Sequence, residues 1–233
     1  MIAELVVWAI LGQAGMPVPT ALRQVTALMA RGEVKAAEDL LTETTRQFPK
    51  DPDVHFLWAR LHLERERAPL ALEAIRKVLA LRPDYPRAHY QAGLAHLKLA
   101  EFDPAIEELS AELKLSPKDG EAYYYRGISY AARQDLVQAE RDFRRALELT
   151  PGSPTVRFQL GKLLIDTDRA GQAVPLLEQS LAIRPGYPLA HYQLGRAYQQ
   201  LGKVNEAERE FARARQLQEE DRAAPVRSLK RAQ

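Results

Sequence analysis

The sequence predicts an all-α protein built as an array of antiparallel helix pairs, one pair every 34 residues. Three observations predict it. Pro49, Pro83, Pro117, Pro151 and Pro185 stand 34 residues apart, and a second ladder follows three behind at Pro52, Pro86, Pro154 and Pro188, with Gly120 on the remaining rung. An alanine recurs at the same interval, as Ala37, Ala71, Ala105, Ala139, Ala173 and Ala207. Between these marks the apolar residues return with helical spacing rather than strand alternation. Self-similarity at a fixed period of this length is the mark of stacked repeats.

Residues 121–151 show the unit most clearly. The first helix carries Tyr123, Gly127 and Tyr130 on one face, and the second carries Ala139, Phe143 and Ala146. A short polar turn at Arg133–Asp135 joins them. Small residues at Gly127 and Ala139 let the helices approach closely, while the aromatic rings fill the space around the contact. Proline cannot continue a helix but suits its first position, where the missing N–H had no partner. The first ladder therefore ends one helix and the second opens the next, with Asp51, Asp119 and Ser153 placed as N-caps.

Gly127 recurs as Gly93, Gly161 and Gly195, relaxing to Ala59 and Val25; Phe143 recurs as Leu41, Ile75, Leu109, Leu177 and Phe211. With these small and large positions, the chain resembles the tetratricopeptide repeat family, whose unit follows W-x2-L-G-x2-Y…A-x3-F…A…P. Matching pieces stand at Leu194-Gly195-Arg196-Ala197-Tyr198 and at Leu160-Gly161. The resemblance covers residues 18–221 and implies a right-handed superhelical solenoid of antiparallel helix pairs. Departures are visible. The opening Trp is replaced by Ala21, His55, His89, Tyr123, Arg157 and His191, and the late Ala by Thr44, Val78, Glu112 and Ser180. Pro175 falls in the second helix of the fifth repeat, and is expected early enough there to remove no hydrogen bond.

Six repeats are expected, at 18–51, 52–85, 86–119, 120–153, 154–187 and 188–221. Ahead of them, 1–17 holds the apolar run 5–11, LVVWAIL, followed by GQAG. Two readings stay open: a signal segment cut near Ala14, or a helix capping the first repeat. Export to an extracytoplasmic space and residence in the cytoplasm are left equally open. In the last repeat Arg215 replaces the Leu79, Leu113, Leu147 and Leu181 of earlier ones, as a terminal cap requires. Residues 222–233, basic and containing Pro225, are expected to fray.

Composition is ordinary, with 46% hydrophobic and 27% charged residues. A net charge of +2 gives no basic surplus for phosphate neutralisation, so nucleic acid is not an expected partner. The absence of cysteine excludes disulfides and thiolate metal sites. No G-x-S-x-G, H-E-x-x-H, G-x-x-x-x-G-K or G-x-G-x-x-G occurs, and the expectation is a non-enzymatic chain with no cofactor and no small-molecule substrate. His55 and His62, like His89 and His96, lie seven apart on first helices. A metal site is one reading; replacement of the aromatic packing residues Tyr123 and Tyr130 is the better one, and no metal ligand is assigned.

The resemblance further implies a concave groove lined by first helices, with the residue after the opening position pointing into it. That residue is Leu22, Phe56, Tyr90, Tyr124, Phe158 and Tyr192 in turn, followed by an amide at Gln91, Gln159 and Gln193. Four positions beyond it stand Thr26, Arg60, Leu94, Ile128, Lys162 and Arg196, an apolar middle with basic flanks. The asparagine that some relatives use there to clamp a C-terminal carboxylate is absent. The function expected is a scaffold or adaptor that holds a peptide segment or helix of another protein in this groove. The alternatives are a targeting or regulatory arm for an enzyme on a separate chain, and a self-assembly module forming homo-oligomers.

Overall fold

The computed structural model describes residues 18–231, which form twelve α-helices and no strand. Both readings of residues 1–17 fall outside the described residues. No described helix is long and apolar enough to cross a membrane. The chain divides into two compact units, Met1–Pro117 and Lys118–Gln233. The first holds α1 (Val18–Ala30), α2 (Val34–Gln47), α3 (Pro52–Glu64), α4 (Ala68–Leu81), α5 (Ala88–Lys98) and α6 (Phe102–Leu115). The second holds α7 (Gly120–Ala132), α8 (Leu136–Leu149), α9 (Pro154–Asp166), α10 (Ala170–Ile183), α11 (Pro188–Gln200) and α12 (Val204–Arg231). Odd-numbered helices are the first of each pair and even-numbered ones the second.

Local chemistry explains most helix ends. The Asp51 carboxylate accepts from the N–H groups of Asp53 and Val54, Asp119 from those of Glu121 and Ala122, and the Ser153 hydroxyl from that of Val156. Each satisfies donors that a helix start leaves orphaned. Pro52, Pro154 and Pro188 occupy the first turn as expected. Pro86 does not. Helix α5 begins at Ala88 instead, because the chain passes through a left-handed residue, Arg87, in the turn that the Ala88 N–H closes onto the Tyr85 carbonyl. Arg87 adopts a left-handed φ of 62° in that turn.

The turn inside each pair is the same device six times. Gly32, Glu66, Ala100, Gln134, Asp168 and Gly202, again 34 apart, have φ between 57° and 73°. The N–H of the next residue bonds back to the carbonyl five residues earlier, at 2.8–3.0 Å, as in Asp135 to Tyr130 and Arg169 to Leu164. This is a Schellman closure of the first helix, and its left-handed residue favours glycine. Four of the six are not glycine.

Two further expectations are corrected. Helix α10 starts at Ala170, so Pro175 is its sixth residue and does remove a backbone hydrogen bond, the one to Gly171. Both residues are exposed, where that carbonyl faces solvent. Residues 222–231 continue α12, a helix of 28 residues, rather than fraying.

Pairs close where small meets large. A Cβ added to Gly93 would lie 2.5 Å from Leu109, one on Gly127 2.7 Å from Phe143, one on Gly161 2.9 Å from Leu177, and one on Gly195 2.6 Å from Phe211. At each of these positions the large side chain of the second helix occupies the space a Cβ would need. In the second unit α9 contributes Leu160, Leu163, Leu164 and Ile165 to the core, joined by Phe143, Leu177 and Leu194. Apolar on most sides, α9 is the buried centre of its unit. In the first unit Val25, Leu41, Val54 and Leu61 form one cluster, and Ala59, Ile75, Val78 and Tyr85 another.

Candidate functional site

The aromatic residues expected in the groove lie on first helices in each unit and differ in exposure. In the first unit Phe56 on α3 is half-buried and tilts against Tyr85 at 4.9 Å between centroids. The Tyr85 hydroxyl donates to Asp53 at 2.6 Å, and Arg82 lies over its other face at 4.1 Å. Burial and the bond to Asp53 push the Tyr85 phenol well above its ordinary range, so it stays neutral. Tyr90 on α5 is only 6% exposed, with the Arg87 guanidinium 3.9 Å above it. Gln91, Leu94 and Arg60 keep partial exposure beside these rings.

The second unit repeats the arrangement once and then breaks it. Phe158 on α9 is 5% exposed, tilted against Tyr187 at 4.9 Å, with Arg184 4.7 Å over that tyrosine. Tyr85 and Tyr187 close the second and fifth repeats, and each covers the ladder ring of its own repeat. The corresponding residue of the fourth repeat is Ser153, whose hydroxyl caps α9. No ring is supplied there to cover Tyr124. A cavity of about 370 Å³ opens instead, lined by Tyr124, Tyr125, Thr150, Ser153 and Thr155.

Tyr124 is held in place. Its ring meets Tyr125 edge-on at 4.9 Å and tilts against Phe143 at 6.1 Å. Its hydroxyl is hydrogen-bonded to the Gln159 side chain, and burial raises its pKa despite that bond. Ile128 and Gln159 keep partial exposure nearby. Tyr192 on α11 is the most open ladder ring, 48% exposed and 5.5 Å from Phe211. Gln193 is buried, where it accepts from Arg196 at 3.0 Å. The basic flank is also engaged: Lys162 reaches Asp166 at 3.6 Å and Arg196 reaches the same carboxylate at 3.1 Å.

Of the sequence candidates, then, Phe56, Tyr90, Phe158 and Gln193 are largely committed to packing. Tyr124, Ile128, Gln159, Lys162, Tyr192 and Arg196 remain accessible to some degree on one unit. Tyr85, Tyr125 and Tyr187 were not singled out by sequence. The one available signal was Tyr-Pro at 85–86 and 187–188, three periods apart.

Four of the five histidines have local hydrogen-bonding partners, and the buried Nδ1 of His62 has none among the described residues. His55 contacts the Pro49 carbonyl at 2.8 Å, His89 pairs with Glu108 at 2.7 Å, and His191 with Glu210 at 2.6 Å. Burial lowers the pKa of His62, whose ring stacks on Trp58 at 5.2 Å. Among the described residues no three His, Cys, Asp or Glu side chains converge as metal ligands.

Comparison with known proteins agrees with this architecture. The chain is similar in fold to PilF of Pseudomonas aeruginosa (18% identity, TM-score 0.75, covering 82% of this chain and 87% of that one). It is similar also to MamA of Desulfovibrio magneticus RS-1 (22% identity, TM-score 0.67, 74% and 98%). A third is YrrB, described as a TPR protein with an unusual peptide-binding site (21% identity, TM-score 0.65, 81% and 97%). No curated protein matches the sequence. One tetratricopeptide repeat model matches residues 22–86 and 90–154, and a second matches 165–232. With repeats matched over most of its length, the chain belongs to the tetratricopeptide repeat family, whose helix-pair arrays serve as protein–protein interaction scaffolds.

Proposed function

We propose that the chain is a non-catalytic adaptor that holds a peptide segment or short helix of a partner protein against the first helices of its second unit. Tyr124 is the central anchor. The observation that carries this reading is the part-buried Tyr124 ring at the wall of a cavity of about 370 Å³, with Ser153 at the repeat position from which Tyr85 and Tyr187 contact Phe56 and Phe158. Concave, partly desolvated sites with a rigid aromatic wall suit an inserted side chain, because little rotamer freedom is lost on binding. Thr150, Ser153 and Thr155 supply hydroxyls at the rim, and Gln159 an amide for a peptide group. Peptide binding by the similarly folded YrrB is consistent with this reading. Lys162 and Arg196 favour an acidic residue on the ligand, which would compete with Asp166 for them.

The test begins with affinity capture from native-host extract on wild-type and Tyr124→Ala proteins, with captured proteins identified by mass spectrometry. A labelled peptide from the partner is then titrated by fluorescence polarisation. Tyr124→Ala is expected to weaken binding at least ~10-fold, as central aromatic anchors do, with helicity unchanged. Arg213→Ala, exposed on α12, is expected to bind as wild type. Equal affinity for wild type, Tyr124→Ala and Gln159→Ala would remove the proposal.

A further inference from the structure

A second cavity, of about 620 Å³, lies on a different face of the fourth repeat, between α7 and α8. Tyr123, Arg126 and Tyr130 line it from α7, and Arg141, Arg144 and Arg145 from α8. Four guanidinium groups thus share one pocket. The two carboxylates on its wall are already engaged. Asp142, 2% exposed, accepts a fork from Arg126 at 2.7 and 2.8 Å, and Glu148 accepts from Arg145 at 2.7 Å. Arg144 bonds Glu140, whose other oxygen is claimed by Arg169 at 2.6 Å. Arg141 is exposed and has no acidic partner among the described residues.

The cluster is peculiar to this repeat. At the positions of Arg141, Arg144 and Arg145, one turn of one helix face, no other repeat is basic at all three. Its deepest member sits where the neighbouring repeat has Leu160, and Asp142 where it has Leu176. Packing alone would be served better by those leucines, since a buried ion pair seldom stabilises more than apolar residues of similar volume. The fork instead holds Arg126 rigid, with the Tyr123 and Tyr130 rings 5.4 and 5.9 Å from its guanidinium. Arg145 is also hydrogen-bonded to Tyr123. A preorganised set of planar donors flanked by rings matches a tetrahedral anion with several acceptor oxygens.

We propose that this pocket binds a phosphomonoester carried on a side chain of a partner protein. A phosphomonoester brings a charge of roughly −1.5 to −2 at neutral pH with three strong acceptor oxygens, enough for several guanidinium groups together. Nucleic acid is the less suited ligand. It tracks along a basic stripe, whereas these arginines line one open pocket in a chain of net charge +2. The site is separate from Tyr124 and does not depend on the groove reading.

Isothermal titration of the full chain with phenyl phosphate tests the proposal, with phenol as the uncharged control and a single-stranded oligonucleotide as the competing class. Phenyl phosphate is expected to bind and phenol not. Arg141→Gln combined with Arg144→Gln should weaken it at least ~10-fold, as loss of two charge-assisted bonds implies, while circular dichroism stays unchanged. Glu148→Gln, which releases Arg145, should strengthen it, a gain that a damaged fold cannot mimic. Absence of phenyl phosphate binding to wild type would overturn the proposal. So would equal binding of phenol, an unaffected double variant, or tighter, arginine-dependent binding of the oligonucleotide.

Discussion

Adding one methyl group to Gly127 tests whether close helix approach sets the stability of a pair. Its Cβ would sit 2.7 and 2.8 Å from Cε1 and Cδ1 of Phe143, and 3.3 Å from Cζ. Phe143 is 1% exposed, so its ring has nowhere open to move. Two effects oppose each other. Alanine in a helix interior is favoured over glycine by about 0.5–1 kcal/mol. Overpacking a closed core costs about 1–3 kcal/mol. Gly171 in α10 separates the two, because a Cβ there meets nothing within 4 Å. Gly171→Ala should therefore stabilise by up to ~0.5–1 kcal/mol, with only the propensity term acting. Gly127→Ala should fall below it by the overpacking term, about 1–3 kcal/mol, and so be net destabilising or neutral. Urea unfolding followed by circular dichroism, with unchanged m-values, reads the difference. If Gly127→Ala stabilises as much as Gly171→Ala, the contact with Phe143 is soft, and the small rung does not govern pairing.

Gln134, held at φ 64° in the turn between α7 and α8, should gain ~0.5–1 kcal/mol on change to glycine; a loss in the same unfolding assay would show that its side chain contributes more than its backbone strain. Asp142→Ala removes the fork that holds the part-buried Arg126 and should cost near the low end of ~3–5 kcal/mol, since Arg126 keeps some exposure. Arg126→Leu combined with Asp142→Leu, copying the next repeat, should cost less than that single change, and a larger cost would refute the account of the fork. Hydrogen bonds from Arg169, then burial against them, then bonds from Arg144 leave the Glu140 carboxyl below its ordinary pKa. Its folded value is depressed, so its stabilisation is complete above about pH 4.3 and fades as pH falls through the lowered value. The gap in melting temperature between wild type and Glu140→Gln should accordingly be full at neutral pH and close in strong acid; a gap independent of pH would exclude the ion pair as its source.

Local chemistry made much of the fold readable in advance. Proline past each second helix, aspartate or serine before Pro52, Gly120 and Pro154, and the alternation of Gly127 with Phe143 act within a turn or one hairpin, and a period of 34 exposes them. The start of α5 was not readable, because it depends on the left-handed turn at Arg87, which Pro86 permits either way. Nor was the left-handed residue in every hairpin turn, since glutamate, alanine, glutamine and aspartate give no sign of it. The site was legible only as a row of rings. How far a ring is covered depends also on residues outside that row, as Tyr85 against Phe56 and Tyr187 against Phe158 show, and periodicity carries no information about such loop-to-helix packing. The partner of the basic flank was not legible either: Asp166, one turn on from Lys162, pairs with both Lys162 and Arg196.

The Arg126–Asp142 fork also restricts how repeats of this chain can be exchanged. Its two halves lie on α7 and α8, sixteen residues apart, on either side of the turn at Gln134. A crossover within that turn would join Arg126 to a leucine, or Asp142 to one, and strand a charge in the interior. A crossover between α8 and α9 carries both halves together and leaves the neighbouring Leu160 and Leu176 matched. His89 with Glu108 and His191 with Glu210 tie their hairpins in the same way, nineteen residues apart. For grafting or duplication in this array, the transferable module is the whole hairpin, cut at the prolines and never at the turn.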